Sequence, residues 1–112
     1  MSFTVGRTFE VTGWQGTGGI TLGLRFGSEN AGAWVDRSWN EIQVEFDGIS
    51  HGFAIRPSFW RKCPEIRGAA ITTWMRRHGL APWPKNQPPH LKLVYLGQNR
   101  YRAELPTPGL ER

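Results

Sequence analysis

The sequence predicts a mainly β (α+β) fold, in which an antiparallel sheet of six or seven strands forms an open or pseudo-barrel around one principal helix. Several stretches alternate apolar and polar residues, as half-buried strands do, and only one longer stretch has the apolar spacing of a helix. A chain of 112 residues can bury one sizeable core but not two, so residues 1–112 are expected to form a single domain. A small sheet with one packed helix typically curls into a barrel-like arrangement.

The chain begins with two predicted strands separated by a glycine-rich loop. In residues 7–14, Phe9 and Val11 alternate with polar side chains, which is the two-residue period of a strand with one buried face. Residues 19–26 repeat this period with four apolar side chains on one side. The segment GTGG between them fits no phosphate-binding loop and is expected to be a turn.

Residues 41–54 have the clearest hairpin pattern. Their apolar and polar side chains alternate up to the dipeptide DG at 47–48, which is typical of a two-residue hairpin turn. This turn pairs Val44 with His51, so that both strands bury the same face. The opposite face carries acidic and small side chains: Glu41, Glu45, Ser50, Gly52 and Ala54.

One amphipathic helix is predicted at about residues 64–78. Pro64 suits a first helical turn, and Gly79 suits the position just after a helix end. Four residues of this segment fall on one side of a helical wheel, where they would plug the barrel: Ala70, Ile71, Trp74 and Met75. The proline-rich residues 81–90 are expected to form an extended crossover, and residues 91–105 a closing hairpin.

Charge is unevenly distributed along this basic chain. Residues 1–55 carry three arginines and six carboxylates, whereas residues 56–112 carry eleven lysines and arginines and three carboxylates. Such segregation usually corresponds to a basic face, which attracts polyanions such as nucleic acid. The alternative is that the positive charge serves solubility alone.

If the protein binds nucleic acid, the sequence predicts three kinds of contact: with phosphates, with base edges and by stacking. Phosphate contacts would come from a pool of lysines and arginines: Arg56, Arg61, Lys62, Arg67, Arg76, Arg77, Lys85, Lys92, Arg100 and Arg102. Candidate base-contacting residues lie on or beside the early strands and loops: Arg25, Arg37, Asn40 and Gln43. Tryptophans near irregular segments are candidates for stacking on bases, although packing over a barrel end is the commoner role: Trp34, Trp39, Trp60 and Trp83.

No catalytic residue or metal site is expected. Cys63 lies beside two basic residues, which favour a thiolate, but the sequence places no base near it. A small, half-buried side chain at a helix entry is the simpler interpretation. The three histidines lack the spacing of zinc ligands. Metal-dependent nucleases usually combine carboxylates with a lysine, and no lysine lies among the carboxylates of residues 36–47. The sequence therefore predicts no enzymatic activity and no cofactor.

The cellular location can also be predicted. No apolar run approaches the roughly 18 residues of a membrane-spanning helix, so no membrane association is expected. The N-terminus, MSFTVGRTFEV, lacks the features of a secretory signal, and a secreted domain of this size would usually contain paired cysteines. We expect a cytoplasmic protein, associated with the nucleoid if it binds DNA.

The second half of the chain resembles a known family. The segment AITTWMRRHGL, followed by a short crossover and the hairpin LKLVYLGQNRYRAEL, is similar to the last third of B3-type DNA-binding domains over roughly residues 66–105. These are pseudobarrels of plant transcription factors and of recognition modules in some type II restriction endonucleases. The chain lacks the family's N-terminal proline-phenylalanine signature and has APWPKNQPPH where a Gly-Asp normally opens the penultimate strand. The resemblance implies double-stranded DNA binding through the major groove, without catalysis by the domain itself.

Three classes of function follow from these observations. The first is a non-catalytic domain that binds double-stranded DNA, either alone as a small regulator or as the targeting module of a fused or associated restriction-type nuclease. The second is a protein-interaction module that uses the acidic hairpin and exposed tryptophans. The third is carbohydrate binding by the tryptophans of the loops.

Overall fold

Seven strands and three helices make up the part of the chain that the computed structural model describes, residues 4–62 and 64–106. The strands are β1 (Thr8–Gln15), β2 (Leu22–Arg25), β3 (Glu41–Phe46), β4 (Ile49–Ala54), β5 (Glu65–Arg67), β6 (His90–Gly97) and β7 (Arg100–Glu104). The helices are α1 (Ser28–Trp34), α2 (Pro57–Arg61) and α3 (Ala69–Arg77). The predictions about Cys63 lie outside the described residues.

The strands form one sheet in the order β4-β3-β7-β6-β1-β2-β5, nearly closed into a barrel, so the predicted mainly β pseudobarrel is confirmed. Its two end strands, β4 and β5, approach each other without pairing. The sheet is mostly antiparallel, and its one parallel pairing in the described residues joins β3 and β7, with Gln43 opposite Arg100. These two strands are far apart in the sequence, so no tight turn forces them to be antiparallel.

The β3–β4 hairpin has the register that its turn residues predict. Val44 lies opposite His51, and both Asp47 and Gly48 adopt the positive φ angles of a two-residue hairpin turn. The barrel interior of the described residues consists of apolar and aromatic side chains, tyrosines included, and no charged side chain is buried there. Ile49 is an exception to the predicted inward pattern, since 61% of it is exposed where β4 begins at the hairpin tip.

Helix α3 closes one end of the barrel, as the apolar spacing predicts. Ile71, Trp74 and Met75 are buried, and Gly79 ends the helix with a φ of 71°. The predicted start at Pro64 was wrong by five residues, because residues 65–67 pair with β2 as strand β5 before the helix begins at Ala69. Neither helix nor strand occurs in residues 80–89, which connect α3 to β6.

Two short helices close the other end of the barrel, where the sequence predicts only loops. The indole of Trp34, at the end of α1, stacks on Phe9 with ring centroids 5.3 Å apart. Tyr101 extends from the core and donates a hydrogen bond from its hydroxyl to the backbone carbonyl of Trp34. Phe59 of α2 is buried beside Phe26. With seven and five residues, α1 and α2 are too short to give a clear helical period.

Candidate nucleic-acid interface

The gap between β4 and β5 forms an open groove of about 700 Å³, which we call the seam groove. One wall is the end of β4, the opposite wall is β5 with the start of α3, and α2 closes the barrel end. The residues that line it are Gly52, Phe53, Ala54, Arg56, Ser58, Phe59, Lys62, Glu65, Ile66, Arg67, Gly68, Ala69 and Ala70. The groove exists because β4 and β5 do not pair with each other, so the barrel stays open between them.

Small residues leave the backbone accessible along the seam groove. The side chains that β4 directs away from the core belong to Ser50, Gly52 and Ala54, as the alternation along the hairpin predicts. On the opposite wall, Gly68 and Ala69 are equally small. Because β4 ends the sheet, half of its backbone N–H and C=O groups face the groove instead of a neighbouring strand.

The side chains around the groove are predominantly basic. Arg56, Lys62 and Arg67 are all exposed at its margin. Arg67 packs over the ring of Trp14, with the guanidinium carbon 5.3 Å from the ring centroid, which holds this cation on the outer wall. The one carboxylate among the lining residues is Glu65, whose side chain is only 14% exposed and lies 3.7 Å from the guanidinium of Arg25.

The beginning of α3 adds further positive potential to the same wall. Gly68, with a φ of 153°, starts the helix, and no side chain caps the first backbone N–H groups. Ala69 and Ala70 of this first turn line the seam groove. The positive end of the helix dipole therefore adds to the attraction that the three basic side chains exert on an anion.

A smaller groove of about 450 Å³ continues along β4 towards the hairpin tip. It shares Ala69 and Ala70 with the seam groove and is bordered by His51 and Arg77. The two grooves together follow most of the free edge of β4. An extended polymer chain therefore has an open path along this edge.

The predicted phosphate-contacting pool divides into separate regions. Four of its members surround or adjoin the seam groove: Arg56, Arg61, Lys62 and Arg67. Arg76 and Arg77 lie at the other end of α3, where their side chains reach Gly19 and Asp47 respectively. Lys85 lies in the crossover.

The remaining basic residues lie on the outer face of β6 and β7 and alternate with carboxylates there. Lys92 lies between Glu10 and Glu104 in the strand register. Arg102 lies opposite Glu45 and forms an ion pair of 3.4 Å with Glu104. Arg100, opposite Gln43, completes this set. This face has little net charge and is a poorer match for a polyanion than the seam groove.

None of the four predicted base-contacting residues lines the seam groove, and two of them, Arg25 and Gln43, lie opposite residues that do. Arg25 pairs with Glu65 of β5, and Gln43 lies opposite Gly52 of β4. Arg37 packs over the ring of Trp60 on α2, 4.4 Å from its centroid. Asn40 accepts a hydrogen bond through its backbone carbonyl from the residue that precedes Arg56.

The four candidate stacking tryptophans are half-buried and pack against the core: Trp34, Trp39, Trp60 and Trp83. Phe9 covers one face of Trp34, and Arg37 covers one face of Trp60. These contacts favour packing over the barrel end as the role of both rings. The same contacts disfavour stacking of these two rings on bases as well as on sugars.

Asp47 fixes α3 against the hairpin tip and so keeps one wall of the groove in place. Its carboxylate accepts hydrogen bonds from the indole of Trp74 at 3.2 Å and from the ring of His78 at 2.8 Å. Arg77 contributes a third contact at 3.4 Å. The hydrogen bond from His78 is the largest cause that lowers the pKa of Asp47 below its ordinary value.

Within residues 4–62 and 64–106, no three His, Cys, Asp or Glu side chains lie close enough to hold a metal ion together. None of the helices in this part of the chain is long and apolar enough to span a membrane.

The chain was compared with protein-family models, curated proteins and solved structures, and none of them matches it significantly. The B3-type resemblance therefore stays a prediction.

Proposed function

We propose that the protein is a non-catalytic domain that binds double-stranded DNA at the seam groove. The observation that carries this proposal is the grouping of Arg56, Lys62 and Arg67 around an open groove that has small side chains on both of its walls. Basic side chains and exposed backbone N–H groups are the usual partners of phosphate oxygens. Arg61, exposed on the neighbouring helix α2, extends the basic surface.

The distribution of charge limits how DNA approaches the barrel. Glu41 and Glu45 on β3 repel phosphates, and the outer face of β6 and β7 attracts them only weakly. DNA therefore approaches from the side of α2 and β5, with its phosphates at the seam groove. In this orientation, Arg37 and Asn40 lie beside the contact and are the candidates for base edges.

The fold is consistent with this proposal. The B3-type resemblance implies a pseudobarrel, the architecture of this sheet, and it also implies recognition of double-stranded DNA without catalysis. The domain would act alone as a regulator or as the targeting module of a nuclease. Either role requires a location inside the cell, with access to DNA.

Binding to a randomised pool of duplex DNA, followed by a salt titration of the retained sequences, tests this proposal. Neutralising three to four phosphates predicts a slope of about −3 in a plot of log association constant against log salt concentration. Enrichment of a short motif would support sequence-specific recognition, whereas retention without enrichment would support a generic contact with duplex DNA. The proposal fails if duplex DNA is not retained at low salt.

A second candidate is a protein-interaction module, which the free edge of β4 favours. An extended peptide can add to an exposed sheet edge through backbone hydrogen bonds, and β4 offers such an edge beside small side chains. Backbone pairing of this kind depends much less on salt than phosphate contacts do. A partner retained at high salt, with no retention of DNA at low salt, would favour this second candidate.

A further inference from the structure

Three polar side chains on the outer face of the β3–β4 hairpin form a continuous hydrogen-bonded chain. The hydroxyl of Ser50 donates to Gln43 Oε1 at 3.1 Å. The amide Nε2 of Gln43 then donates to Glu41 Oε2 at 2.9 Å. The chain fixes the orientation of the Gln43 amide and holds one oxygen of the Glu41 carboxylate. The other carboxylate oxygen of Glu41, Oε1, takes no part in this series of hydrogen bonds.

Gly52 brings the Glu41 carboxylate to the margin of the seam groove. A Cβ atom at Gly52 would overlap Glu41 Oε2 and lie 3.1 Å from Gln43 Nε2, so both side chains extend over the bare backbone at this position. Gly52 itself lines the groove. Its φ angle lies outside the left-handed region, so the glycine is needed for space and not for an unusual backbone conformation.

A carboxylate at this position is unfavourable for phosphate binding alone. Glu41 is exposed and has no ion-pair partner in the described part of the chain, so its charge is not neutralised. It would repel a phosphate, and it would equally repel the acceptor atoms of guanine and thymine. It would attract an exocyclic amino group, and in the major groove the usual partner of a carboxylate is the N4 amino group of cytosine.

We propose that Glu41 reads a cytosine at the margin of the seam groove, with Gln43 as the positioning residue and Gly52 as the residue that gives the carboxylate room. This inference rests on the proposed DNA-binding function and deepens it, since it assigns one base to one side chain. The cations of the groove hold the phosphates, while the uncompensated carboxylate discriminates between bases.

The test uses selection from a randomised duplex pool with the wild-type chain and three variants. Glu41→Ala removes the carboxylate that would accept the hydrogen bond from cytosine. Gly52→Ala keeps this carboxylate but displaces it, because the new Cβ overlaps Glu41 Oε2, which lies at the end of a flexible side chain. Glu45→Ala is the matched control, since Glu45 also faces outwards on β3 but lies opposite Ser50 and Arg102, away from the seam groove. Thermal unfolding verifies that each variant folds.

The expected result is a cytosine preference of about fivefold to a hundredfold at one position of the wild-type motif. Glu41→Ala and Gly52→Ala should lose this preference without any loss of affinity for generic DNA, while Glu45→Ala should retain the preference. A motif without this cytosine, or one that survives Glu41→Ala, overturns the inference and leaves the DNA-binding proposal intact. Failure of the wild-type chain to bind duplex DNA overturns both.

Discussion

The indole Nε1 of Trp74 donates a hydrogen bond to Asp47 Oδ1 across 3.2 Å, which connects the buried face of α3 to the turn between β3 and β4. Trp74 is almost fully buried, whereas Asp47 lies at the surface with a φ of 52°. A single carboxylate therefore ties the helix that forms one wall of the seam groove to the hairpin that forms the other wall.

Asp47→Asn is expected to lower the thermal stability at neutral pH. Asparagine tolerates the left-handed φ of this turn position, so the variant removes the charge, loses the ion pair with Arg77 and weakens the contact with His78 without straining the backbone. Thermal unfolding at pH 7 measures the effect. Glu29→Gln, which changes an exposed carboxylate on α1, should have almost no effect and serves as the control.

Asp47 also predicts how stability depends on pH. Its folded pKa is lowered, chiefly by the hydrogen bond from His78, so the unfolded chain binds a proton more readily than the folded one. The stabilisation is thus fully present above the unfolded pKa of about 3.9 and is lost as pH falls through the folded value. Unfolding between pH 2 and pH 5 should reveal a steeper decline for the wild type than for Asp47→Asn. Parallel curves would contradict this account.

Tyr101→Phe is expected to destabilise the fold without affecting DNA binding. The hydroxyl of Tyr101 is buried and donates to the backbone carbonyl of Trp34, and its loss should cost about 1 to 2 kcal/mol of unfolding free energy. Urea denaturation measures this cost. Because Tyr101 lies in the barrel interior and outside the seam groove, the dissociation constant for duplex DNA at 25 °C should be unchanged.

Gly23→Ala is expected to damage the wall of the groove that β5 forms. A Cβ atom at Gly23 would overlap the backbone carbonyl of Ile66 in β5, so β5 must move away from β2. Overpacking of this kind typically costs about 1 to 3 kcal/mol of stability, and we expect DNA affinity to fall with it.

Gly32→Ala on α1 is the matched control, because a Cβ there meets nothing within 4 Å. It should leave DNA affinity unchanged and be neutral or slightly stabilising, since alanine favours helices. Denaturation and DNA titration of both variants test the prediction. Equal DNA affinity for the two would mean that β5 does not contribute to the interface.

Much of the fold could be predicted from local patterns. The DG turn at 47–48 was sufficient to set the hairpin register, because the loop length and the alternation agree. Strand β5 was missed because three residues are too few to give a period, and its pairing with β2 depends on tertiary contacts. The parallel pairing of β3 with β7 brings together residues more than fifty positions apart, for which the sequence has no local signal.

For the candidate site, the sequence predicted which types of residue take part but not where the fold places them. The sequence gives the basic pool, but its division between the seam groove and the mixed-charge face of β6 and β7 depends on which strands end the sheet. The one local signal was the set of small outward residues on β4, which marks an open surface. That the carboxylate of Glu41 extends over Gly52 follows only from side-chain positions.

The most direct test of the central claim compares two combined variants that remove equal charge. The first carries Arg56→Gln, Lys62→Gln and Arg67→Gln at the seam groove, and the second carries Lys92→Gln, Arg100→Gln and Arg102→Gln on the outer face of β6 and β7. The measurement is the slope of log association constant against log salt concentration for duplex DNA. We expect the first variant to lose about 0.9 of slope per contact, close to the whole dependence, and the second to keep most of it. Equal losses in the two variants, or a larger loss in the second, would contradict binding at the seam groove.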